Sequence, residues 1–216
     1  MSDFFKTVYS GGMGDIEEKK SRFIAHVAPV TTADEASEFI AGIKKKYWDA
    51  RHNCSAYVIG QSREVSRSSD DGEPSGTAGK PILEVINGLD LTDVCIVVTR
   101  DFGGVLLGTG GLIRAYTAAA KAGLENSVII EKLNGTRINI DLDYTLEGKV
   151  RTFLREREVP LLDCVYSDKV RLIAAVKDSM VEGFKASVTD ATDGRAGVSE
   201  DGKLVYAEAE GKVILF

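Results

Sequence analysis

Three carboxylates within four residues, Asp70, Asp71 and Glu73, stand in the stretch SSDDGEPSGTAGKP at 68–81, which has no large apolar side chain. Oxygen ligands of this kind suit a hard cation such as Mg²⁺, and a desolvated carboxylate can serve as a general acid or base. Neighbouring acids in a Ser/Gly loop are also ordinary solvated turn-formers. The spacing therefore proposes a site without requiring one.

A second chemistry is anion binding. Gly110 and Gly111 stand at the entry to an apolar helical pattern, where free backbone N–H groups and the positive end of the helix dipole favour a negative charge. Arg100, Arg114 and Lys80 would add charge-assisted contacts. Two named motifs fail here. For a phosphate-binding P-loop ending at Gly79-Lys80, the first glycine would fall on Pro74 and the hydroxyl residue on Pro81. For a dinucleotide fingerprint starting at Gly108, the third glycine would fall on Ile113. The plain reading is a tight strand-to-helix turn followed by a solvated arginine.

His52 and Cys54 are two apart, so on a strand both side chains point to one face and a Cys–His pair is conceivable. Cys54 opens an apolar strand, which favours core packing. A fourth feature is basic. Lys44, Lys45, Lys46, Arg51, Arg63 and Arg67 lie within 24 residues against Asp49 and Glu64, interleaved with Tyr47, Trp48 and Tyr57. Cations for phosphates and flat rings for unstacked bases suit single-stranded RNA. Tyr47 fits the inward helical stripe, which leaves Trp48 as the free aromatic.

These residues need elements to hold them. Phe23 to Val30 reads as a strand, and Thr32 with Glu35 as the capping box of a helix carrying Phe39, Ile40, Ile43 and Tyr47. Cys54 to Ile59 is a second strand and Pro81 the first residue of a short helix. Val94 to Thr99 is a buried strand, followed by a helix from about Leu112 to Leu124 and a strand at Val128 to Ile130. Leu133-Asn134-Gly135 reads as a turn between domains of residues 1–132 and 135–216. Beyond it, strand, helix, two strands, helix and strand follow in order, the ferredoxin-like βαββαβ pattern. The fold class is α+β.

The totals narrow the options. A 216-residue chain with 44% hydrophobic and 28% charged residues can bury a core or two. A net charge of −6 argues against coating nucleic acid by bulk charge, though not against a local basic strip. Three dispersed cysteines and two histidines offer no zinc spacing, and the opening residues lack a signal-peptide pattern. The expectation is a cytoplasmic protein, not in a membrane, with no cofactor beyond the Mg²⁺ that the acidic loop would suit.

Four segments carry a resemblance: KKSRFI at 19–24, ARHNCSAY at 50–57, SSDDGEPSGTAGKPIL at 68–83 and TRDFGGVLLGTGGLIRAY at 99–116. With these the chain resembles a bacterial, two-domain member of the IMPACT family, also called YigZ-like. The resemblance implies an N-terminal domain similar to the second domain of ribosomal protein S5. It also implies a ferredoxin-like C-terminal domain similar to the last domain of elongation factor G. It implies regulation of translation too, with RNA, a ribosome or a translation factor as partner, and brings no catalytic residues with it. The alternative is a Mg²⁺-dependent enzyme acting on a phosphorylated or nucleotide-like ligand where 68–81 meets 100–114.

Overall fold

The computed structural model describes residues 3–209 and 212–216. The chain divides into two compact units, residues 5–130 and residues 131–216 with the first four residues.

In the first unit, β1 (Phe4–Ser10) precedes a five-stranded antiparallel sheet. The sheet comprises β2 (Met13–Glu18), β3 (Ser21–Pro29), β4 (His52–Ile59), β5 (Val65–Ser69) and β6 (Val94–Asp101), in the order β2-β3-β6-β4-β5. The central strand β6 is buried along seven of its eight residues, because helices cover both faces. Its even-numbered residues Val94, Ile96 and Val98 join Phe23, Cys54 and Ala56 beneath α2 (Gly79–Gly88) and α3 (Gly108–Glu125). The odd-numbered Cys95 and Val97 pack beneath α1 (Ala33–Lys46) with Ala36 and Ile43. Strand alternation thus sorts one sequence run into two cores.

Local chemistry explains the helix ends. Thr32 caps α1 by accepting from the Glu35 backbone N–H, while the Glu35 carboxylate accepts from Thr31, one residue earlier than a strict capping box. Two helices begin earlier than their patterns suggest. α2 starts at Gly79, so Pro81 is its third residue, and α3 starts at Gly108, so Gly110 and Gly111 lie in its first turn. Glycine and proline weaken the apolar signal there, yet the early positions need few backbone donors.

The sheet of the second unit begins with β7 (Val128–Leu142). There is no turn at Leu133-Asn134-Gly135. Gly135 is buried, and a Cβ there would lie 2.9 Å from both Tyr206 Cε1 and the Val176 carbonyl oxygen. It is glycine for close packing, and that use looks the same as a turn in sequence. After β7 come α4 (Glu147–Glu156), β8 (Leu161–Tyr166), β9 (Val170–Lys177), α5 (Val181–Ala191), β10 (Gly197–Ala209) and β11 (Lys212–Leu215). The sheet order is β11-β10-β7-β9-β8. Ile138, Ile140 and Leu142 face the core with Phe153, Leu172, Phe184 and Val188, as the alternation of β7 predicts.

Candidate functional site

Arg100 closes the even-numbered face of β6, opposite Phe23 on β3 and His52 on β4. Its side chain is 7% exposed, with the guanidinium 5.5 Å from the Phe23 ring and 5.3 Å from the Phe102 ring. A buried guanidinium needs a counter-charge, and Glu73 supplies it: Nη1 donates to Oε1 at 2.8 Å. The Tyr116 hydroxyl, on the inward face of α3, donates to the same oxygen at 2.8 Å. Residues 68–81 and the end of β6 therefore meet, joined by a buried ion pair. Arg100 Nε is buried with no partner among the described residues.

The other two acids point elsewhere. Asp70 accepts from the backbone N–H groups of Gly76, Ala78 and Gly79, tying the loop to the start of α2. Burial works against its ionisation, but those three bonds outweigh it and hold the carboxyl below its usual range. Asp71 accepts from the Asn53 backbone N–H and pairs with Lys44. Each acid of the loop is thus committed to protein partners, and among the described residues no three His, Cys, Asp or Glu side chains converge to hold a metal ion.

His52 and Cys54 share a face, as their spacing predicts, but each turns to a loop carbonyl. His52 Nδ1 lies 2.9 Å from the Asp71 oxygen, and Cys54 Sγ lies 3.0 Å from that of Asp70. Burial pushes the Cys54 thiol up to about 12, so it carries no thiolate at neutral pH. Together they pin the acidic loop to the sheet. Tyr116 was silent in the sequence as a polar residue, because its place on the apolar stripe of α3 marks it as core.

The glycine-rich segment is a separate, open surface. Phe102, Val105 and Leu106 are exposed, the last at 83%. Gly103 sits so close to the Lys20 backbone that a Cβ would lie 1.9 Å from its carbonyl oxygen. Gly110, Arg114 and Lys80 are exposed, while Gly111 is buried against Leu107. Among the described residues, Arg100 alone of the anion candidates is sequestered in an ion pair.

The basic strip follows the end of α1. Lys44, Lys45, Lys46 and Arg51 are exposed, and Trp48 is 82% exposed. Tyr47 is half-buried against the α1 core, with the Lys46 ammonium 5.1 Å from its ring centroid. Arg63 is drawn away by Asp90 and Asn87, and Arg67 donates to the Ser66 carbonyl.

Comparison with known proteins follows the same division. Residues 19–124 match the Impact N-terminal domain, and residues 140–195 match a domain of unknown function (DUF1949). The chain is 44% identical to IMPACT family member YvyE of Bacillus subtilis, over 94% of this chain and 93% of that protein. It is 33% identical to IMPACT family member YigZ of Escherichia coli, over 82% and 88% respectively. Protein IMPACT of Rattus norvegicus is 37% identical over 43% of this chain and 30% of its own length. A crystal structure of a hypothetical protein, 29% identical, superposes with a TM-score of 0.59 over 94% of this chain and 99% of the other. The chain belongs to the IMPACT family.

Proposed function

We propose that this protein acts in translation by binding single-stranded RNA, with the end of α1 as its contact surface. One observation carries the reading: Trp48 stands 82% exposed beside Lys45, Lys46 and Arg51, none of which has an ion pair among the described residues. An exposed indole offers a free π-face, and bases stack on aromatic rings without regard to sequence. The family resemblance supplies the translation context, in which a ribosome or translation factor would present the RNA, and the setting is cytoplasmic.

The fold reading agrees with this theme. Numbered within its own unit, the C-terminal sheet runs 4-1-3-2 in the strands β10, β7, β9 and β8, each pair antiparallel. We read it as ferredoxin-like, similar to the last domain of elongation factor G. The N-terminal unit is read, from the resemblance, as similar to the second domain of ribosomal protein S5. The enzymatic alternative has less support. It needs Asp70, Asp71 and Glu73 to turn together onto Mg²⁺, and each is already committed to the protein.

Trp48 is the chain's one tryptophan, so its fluorescence reports directly on the proposed surface. Titration with single-stranded RNA should quench it. With about three phosphates neutralised, log K should fall against log salt with a slope of about −2. Full fluorescence at saturating RNA in low salt would overturn the reading.

A further inference from the structure

α1 covers only part of its side of the sheet. Next to it, over β2 and β3, lies a groove of 430 Å³ walled by Met13, Ile24 and Tyr47. That volume is in the range of small-ligand pockets, about 300–1,000 Å³. Tyr47 stands between the groove and the basic strip: its ring lines the one, and Lys46 of the other lies over it. The His26 ring, 5.1 Å from that of Tyr47, holds it in place from the sheet side.

The groove's polar groups are mostly acceptors. Asp101, across from Arg22 in the β3–β6 ladder, is exposed and has no ion pair among the described residues. Arg22 is turned to Asp15. Asn126 uses its amide N–H₂ on the carbonyls of Met13 and Ala122, which leaves its side-chain oxygen for another donor. Acidic acceptors repel phosphate, so a phosphate belongs on the lysines outside and a donor-bearing flat group belongs within.

We infer that this groove is a base-reading subsite, taking one unstacked guanine from an RNA strand held along Lys45, Lys46 and Trp48. Among the bases, guanine offers two adjacent donors, N1–H and the N2 amine, on its Watson–Crick edge, and a carboxylate accepts both at once. Asp101 supplies the carboxylate, and Tyr47 with Met13 and Ile24 supplies the flat apolar walls. The inference rests on the RNA-binding reading and adds base selectivity to it.

The test uses the full chain and three oligouridines, carrying at their centre guanosine, inosine or uridine, with Trp48 quenching at about 100 mM salt. The guanosine strand should bind about 10-fold tighter than the uridine strand, in line with the worth of one good bidentate base contact. Inosine, which lacks the N2 amine, should fall between them. Asp101→Ala should erase the preference, and any general gain in affinity from losing a negative charge should fall equally on all three strands. Equal binding of all three strands, or a preference that survives Asp101→Ala, would overturn the subsite and leave the RNA reading standing. If no strand quenches Trp48, the RNA reading itself fails and the subsite with it.

Discussion

Glu73 and Arg100, 27 residues apart, form a buried ion pair at 2.8 Å that fastens the acidic loop to the end of the central strand. Tyr116 completes it from α3, so three segments of the N-terminal unit depend on one carboxylate oxygen. A buried pair is a weak source of net stability, but breaking it on one side strands a charge.

Glu73→Gln should therefore destabilise the protein by about 3–5 kcal/mol, because Arg100 keeps its charge without a counter-ion. Replacing both residues, Glu73→Gln with Arg100→Met, should recover a good part of that loss. Urea denaturation of the two variants gives the comparison. A double variant no more stable than the single one would show that the pair is not the source of the cost.

His26 is 4% exposed, and its Nε2 has no partner among the described residues. Burial, followed by the positive charge of Lys46, lowers its affinity for a proton. The folded state then binds fewer protons than the unfolded one, so its stability is full above the unfolded pKa of about 6.5 and falls as pH drops through and below it. His26→Gln should flatten that part of a stability–pH curve. Asp70 acts in a separate window. Its carboxyl is held low in the folded state, so its contribution is present above about pH 4 and is lost as pH falls further.

Gly135→Ala puts a methyl group where Tyr206 and the Val176 carbonyl already sit. Overpacking of this kind costs about 1–3 kcal/mol. Were Gly135 a free turn glycine, alanine would be tolerated or mildly stabilising, so the sign of the change in a denaturant midpoint separates packing from turn.

Trp48→Ala removes an exposed ring and should leave stability within about 0.5 kcal/mol. Affinity for a labelled single-stranded RNA, read by fluorescence anisotropy, should nonetheless weaken by about 1–3 kcal/mol. Unchanged affinity would remove Trp48 from the binding surface.

Much of this was legible in the chain because local periodicity survives folding. The continuous apolar run of Val94 to Val98 marks the central strand as buried on both faces, and Thr32 with Glu35 marks the start of α1. Along β7, the alternation of Ile138, Ile140 and Leu142 with Arg137, Asn139 and Asp141 tells which side chains point inward. β1 and β2 are not legible from periodicity, since FFKTVYS and MGDIEE lack a clean period of two; β2 is fixed instead by its hairpin pairing with the neighbouring β3. The quoted loop was singled out by composition, but composition could not distinguish acids that bind a cation from acids that bind their own backbone.

By itself, then, the sequence determined the order of most strands and helices, the family, and where unusual polar groups concentrate, because each is written in residues close together along the chain. Only tertiary structure decided that Asp70 ties down α2, that Asp71 turns to Lys44 and that Glu73 goes to Arg100. It also decided that Gly135 packs under Tyr206. The reason is physical: the partner of a buried charge, or the neighbour of a missing Cβ, is chosen by where distant strands are brought together, and no spacing within the chain encodes that distance.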